Sequence, residues 1–178
     1  MMWLIVVAAF AILVFGVYVS WRAGRLDRMH NRVEAARTAL DLAMVRRSSS
    51  AYELASSGLL DPANSLLLAS AVRGAKDAGT SERDLAESDL TRALRATFSQ
   101  PGLRSELEGR EGAKELLAEV DAAAQQLFIA RKFYNDVAAR TIDARRRPLA
   151  RLFRLSGNAP VPGFFEIDDS LGDGAGPG

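Results

Sequence analysis

Residues 111–146 read EGAKELLAEVDAAAQQLFIARKFYNDVAARTIDARR. Within them Leu116, Val120, Ala123, Leu127, Ala130, Tyr134, Val137, Thr141 and Ala144 step by four and three residues in alternation. That spacing returns to one helix face every seven residues, and the stretch holds no Pro and only one Gly, at its start. The sequence therefore predicts a long helix with an apolar seam. Packing inside a bundle explains the seam more simply than an intermolecular coiled coil, although both uses fit it.

Working back from that helix, the rest of the chain also has helical spacing and no strand-like alternation. Asp61-Pro62 is a start signal, with Asp as N-cap and Pro at the first helical position, where its missing N–H costs nothing. The helix it opens carries Leu66, Leu67, Ala69, Val72 and Ala75 and ends at Gly79. Ser81-Glu82-Arg83-Asp84 restarts the chain, and Leu85, Leu90, Leu94 and Phe98 carry a helix to Pro101-Gly102. A further helical stretch begins near Leu103. Upstream, Leu26, Met29, Val33, Ala36, Leu40 and Ala43 extend a first helix, with a break predicted at Ser48-Ser49-Ser50. A short helix then covers residues 51–57, ending at Gly58 in the position that tolerates positive φ. After Pro148, one or two helical turns are expected over residues 149–155. Pro160-Val161-Pro162-Gly163-Phe164-Phe165 reads as extended, and residues 172–178 as a flexible tail.

Residues 2–19 are an unbroken apolar run, with Trp3, Tyr18 and Trp21 near its ends. About 20 residues of helix cross a hydrocarbon core of about 30 Å, so the run reads as a transmembrane anchor. A cleaved signal peptide fits less well, for want of a basic n-region and of an A-x-A-like site after the run. Arg22, Arg25, Arg28 and Arg32 follow the run, and the positive-inside rule then sets a topology with the amino terminus outside and the domain in the cytoplasm. The expectation is a single-pass protein of the cell membrane.

Composition limits the chemistry. The 178 residues carry a net charge of +1, which speaks against a nucleic-acid partner. There is no Cys, so disulfides, thiol catalysis and thiolate metal sites are excluded. His30 is the one histidine, and with Glu34 it offers at most two metal ligands at i,i+4. Glu106, Glu108, Glu111 and Glu115 surround a helix start, where carboxylates favour the dipole. No phosphate-binding loop, nucleophile elbow or HExxH pattern is present. No catalytic residue, metal, cofactor or small-molecule substrate is therefore predicted. The remaining constellation is basic. Arg140, Arg145, Arg146, Arg147, Arg151 and Arg154 crowd a segment that also holds Leu149, Leu152 and Phe153. It reads either as a membrane-surface contact on anionic lipid or as a solvated rim paired with Glu166, Asp168 and Asp169.

Ala130-Arg131-Lys132-Phe133-Tyr134-Asn135-Asp136-Val137 resembles the A-R-x-x-Y-N-x-x-V signature of the LemA family, bacterial proteins with an N-terminal span and a helical-bundle domain. Arg32-Val33, Arg46-Arg47 and Phe164-Phe165-Glu166 extend the resemblance over essentially the whole chain. The family's second Tyr-Asn would fall at Thr141-Ile142 and is missing, as in a divergent branch. The resemblance implies an anchored bundle without an established enzymatic activity. Physically, Tyr134 lies on the seam, so its ring belongs in a core and its hydroxyl needs a partner. Ala130, Arg131, Asn135, Asp136 and Val137 then read as structural neighbours.

Together these readings predict an all-α chain whose transmembrane helix (residues 1–21) continues into an antiparallel, four-helix-like bundle over 22–155, with an extended tail over 156–178. The predicted function is a scaffold or adaptor for protein interaction or self-association at the membrane. The alternative is an anionic-lipid-binding or envelope-stress module built on residues 140–154.

Overall fold

The computed structural model describes the backbone of residues 2–146 and 161–168, and the side chains of those residues apart from 4 and 19–27. Among the described residues the chain is all-helical: α1 (Met2–Ser56), α2 (Pro62–Asp77), α3 (Arg83–Phe98), α4 (Leu103–Glu108) and α5 (Ala113–Arg146). Two compact units contain them. Unit 1 takes Met1–Arg37 and Tyr134–Phe164, and unit 2 takes Thr38–Phe133 and Phe165–Gly178.

Local chemistry explains the helix ends. Asp61 has an extended backbone, and its carboxylate accepts from the N–H of Ala63 at 2.9 Å and of Asn64 at 3.1 Å, which satisfies two donors at the start of α2. These bonds, with that of Asn64 first, hold the Asp61 carboxyl below the usual carboxylate range. Gly58, after α1, and Gly112, before α5, have φ of 74° and 75°, the left-handed region that a side chain disfavours. The predicted break at Ser48-Ser49-Ser50 does not occur, and α1 runs through it. Ser48 and Ser50 are buried, and the Ser50 hydroxyl donates to the Arg47 carbonyl at 3.1 Å. A serine bonded back to its own helix removes the polar conflict that would have favoured a loop.

In unit 2 the core is formed by Ala51, Leu54, Leu68, Val72, Leu90, Leu94, Leu107, Leu117 and Val120 with their neighbours. Polar contacts fix how the helices run. Asp41 meets Arg83 at 3.0 Å and Arg47 meets Glu87, so α1 and α3 are parallel. Arg110 donates to the Leu59 carbonyl at 3.0 Å while Arg46 meets Glu119 at 2.8 Å, so α5 returns antiparallel to α1. In α5 the buried positions include Leu117, Val120, Ala123, Leu127, Tyr134, Ala138 and Thr141. The strict heptad expectation placed Val137 on the seam, yet Ala138 takes the fully buried place. An α-helix has 3.6 residues per turn, so Ala138 lies about 20° from Leu127 around the axis and Val137 about 80° away.

The expected membrane span is overturned. Among the described residues, no helix is long and apolar enough to cross a membrane. The single-pass transmembrane assignment and the cell-membrane localisation are corrected accordingly. The outside-to-cytoplasm orientation drawn from Arg22, Arg25, Arg28 and Arg32 loses its premise with them. The continuation of the first helix past residue 19 into the bundle does occur, since α1 is one helix to Ser56.

Candidate functional site

The most unusual chemistry in unit 2 lies in the core. On α1, Leu40, Met44, Arg47, Ala51 and Leu54 step by 4,3,4,3, so Arg47 occupies a seam position between apolar residues. On α3, Glu87, Leu90, Leu94 and Thr97 step by 3,4,3, which places Glu87 on that helix's buried face. The fold joins the two charges, with Arg47 2% and Glu87 3% exposed. The Arg47 guanidinium is paired with the Glu87 carboxylate and donates to the Glu87 carbonyl at 2.9 Å and to Thr91 Oγ1 at 2.7 Å. The Thr91 hydroxyl donates in turn to the Glu87 carbonyl at 3.2 Å. Burial pushes the Glu87 carboxyl above the usual carboxylate range, against the opposing pull of Arg47 and, more weakly, Arg83.

This cluster braces the core. The two Nη groups of Arg47 are spent on Glu87 and Thr91, while its buried Nε makes no hydrogen bond, and sequestering two charges in apolar surroundings is tolerated only with such pairing. Sequence reasoning missed Glu87 and Thr91 altogether and treated Arg47 only as part of a basic pair. The signal was present in the seam spacing, where a charge falls at an apolar position. A second pair lies at the α1–α5 border, where Arg46 meets Glu119 through two bonds at 2.8 and 3.0 Å. The hydrogen bond from Arg46 holds the Glu119 carboxyl below the usual range. Between α2 and α3 runs an open groove of about 500 Å³, lined by Leu67, Ala71, Gly74, Ala93 and Ala96, with the Asp89–Arg92 ion pair beside it.

The residues singled out from the sequence fall in unit 1 or at its edge. Tyr134 is buried, and its hydroxyl donates to the Gly163 carbonyl at 2.9 Å. Asp136 pairs with Arg140 one turn on at 3.0 Å, on the surface. Arg131 stands 5.9 Å from the centre of the Phe128 ring, and Ala130, Asn135 and Val137 are half-buried. His30 and Glu34 approach to 3.8 Å, both substantially exposed, and among the described residues no cluster of His, Asp or Glu could hold a metal ion. Arg28 and Arg32 are exposed. Arg145 and Arg146 close α5, while Arg147, Arg151 and Arg154 lie outside the described residues. Of the acidic residues in the rim reading, Asp168 meets Arg95 of α3 at 3.0 Å.

The first part of α1 stands apart in its surface. Every described side chain from Met2 to Tyr18 is exposed, with Phe10 at 68% and Ile12 at 72%. No protein-family model matches the chain, and neither do any curated protein or any solved structure.

Proposed function

We propose that this chain is a helical-bundle scaffold or adaptor without catalytic activity, which binds a protein partner or a second copy through the exposed apolar start of α1. The observation that carries this reading is the exposure of a contiguous apolar helix surface over residues 5–18. Monomeric proteins seldom leave large apolar patches open, and burying apolar area is favourable by about 25 cal/mol per Å². Because the stretch carries no charge, a hydrophobic groove or a like helix suits it better than a polar surface. The LemA-like pattern at Ala130-Arg131 and Tyr134-Asn135 supports the same non-enzymatic bundle.

The test is a photo-crosslinking amino acid placed at Phe10 in the full chain in cells, with Glu53 as an exposed control. Covalent dimers, or an adduct with one defined protein, are expected at Phe10 and absent at Glu53. If Phe10 gives no protein adduct above the control, the proposal fails.

A further inference from the structure

Residues 165–168 form no helix or strand, yet they meet α3 in a definite register. The backbone N–H of Glu166 donates to the Asp84 carboxylate at 3.3 Å, and that of Asp168 donates to the Ser88 hydroxyl at 3.1 Å. Ile167 between them is buried. The Asp168 carboxylate then accepts from Arg95 Nη2 at 3.0 Å. The spacing is matched on both sides. Asp84 and Ser88 are one helical turn apart, about 6 Å along the axis, and two residues of extended chain rise about 6.6 Å. In an extended chain the N–H groups of residues two apart point the same way, so those of residues 166 and 168 can both face the helix. Ser88 is held ready for this role, because its own proton goes to the Asp84 carbonyl at 2.7 Å and leaves a lone pair for the incoming N–H.

We propose that this face of α3 is a recognition surface for an extended acidic peptide, with the chain's own residues 165–168 as its resident and displaceable ligand. Arg95 selects a carboxylate, Asp84 and Ser88 take two backbone N–H groups, and the site of Ile167 takes an aliphatic side chain directly before the acid. Displacement is inexpensive because the polar contacts are open to water. The Arg95 and Asp168 side chains are 36% and 45% exposed, and exposed ion pairs contribute little. Segments held by few buried contacts open locally well before a domain unfolds. The partner is therefore an acidic, extended segment with an aliphatic residue before its Asp or Glu, and a basic peptide is excluded by Arg95. This inference uses a different surface from the start of α1 and does not depend on that reading.

The test uses a fluorescein-labelled peptide with the sequence of residues 161–170, titrated with full-length chain by anisotropy. In the variant I167G/D168A the resident segment is weakened, and the peptide should bind at least tenfold more tightly than to the unaltered chain. Adding Arg95→Glu should abolish that binding, and a peptide carrying Arg in place of Asp168 should restore it. Helical circular dichroism checks each variant. Should I167G/D168A fail to fold, D168A alone serves, with at least a threefold gain expected. The proposal is overturned if the weakened chain shows no saturable binding at millimolar concentration. Binding equal to that of the unaltered chain, or indifferent to Arg95→Glu, overturns it too.

Discussion

Replacing Glu87 by Leu would strand the Arg47 guanidinium inside unit 2, where Arg47 is 2% exposed. Removing one partner of a buried pair costs about 3–5 kcal/mol. Arg47 would keep two neutral acceptors, Thr91 Oγ1 at 2.7 Å and the Glu87 position's carbonyl at 2.9 Å, so the lower end, about 3 kcal/mol, applies. The reverse change, Arg47→Met, is milder. A carboxyl already pushed up by burial rises further without its cation and takes up a proton, an escape the guanidinium lacks. Its cost is about 1–2 kcal/mol near neutral pH and grows as pH rises. The double variant R47M/E87L removes both charges and fills the space with apolar atoms, so its stability should equal or exceed that of the parent. Urea titration of the full chain, read by helical circular dichroism with the m-value checked for constancy, gives the three differences. The reasoning is refuted if Glu87→Leu costs under about 1 kcal/mol, or if the double variant loses as much as the two single variants together.

Titration supplies two further checks of opposite sign. Glu87 has a raised carboxyl in the folded chain, so folding takes up a proton there. Its contribution is complete below the unfolded carboxylate pKa and is lost as pH rises through the folded value, and Glu87→Gln should abolish that decline in a pH series of urea midpoints. Asp61 and Glu119 are held low, so their contributions are present above the unfolded carboxylate range and fade as pH falls. Asp61→Ala should lower the melting temperature at neutral pH and flatten this acid limb, whereas Asp61→Asn should retain most of the cap. Leu94→Ala empties a fully buried site and should cost about 2–5 kcal/mol in the same denaturant assay. Tyr134→Phe removes the bond to the Gly163 carbonyl, and a loss of about 1 kcal/mol is expected, with faster hydrogen exchange near residue 163.

Much of the helical layout could be read from single letters because its signals are local. Asp61-Pro62 sets the start of α2 through contacts within three residues, and Gly58 marks the end of α1 by the backbone angle it permits. The 4,3 spacing likewise carried the length of α5, since periodicity needs no knowledge of what the seam faces. It misplaced the seam at Val137 because a heptad count assumes supercoiling, and Ala138 follows the undistorted turn. The serines at 48–50 misled for a related reason. Their polarity is visible in the sequence, but the Ser50 bond that cancels it exists only once α1 has formed.

What escaped sequence reading depends on topology. Arg47 and Glu87 are forty residues apart, and each alone looks like a solvated charge on an amphipathic helix; only the parallel pairing of α1 with α3 makes them one buried unit. A reading alert to this would have asked why a charge stands at a seam position, since an isolated charge there is prohibitive and implies a partner elsewhere in the chain. Residues 166–168 offered even less. An extended segment has no helical period, and its register on Asp84 and Ser88 comes from the match between a helical turn and two extended residues. The apolar run at the start of α1 shows the converse limit. Its letters report hydrophobicity accurately, yet hydrophobicity alone does not name what buries it. Among the described residues no helix is long and apolar enough to cross a membrane, and the proposal made above gives the exposed faces of Phe10 and Ile12 to a partner of matching surface.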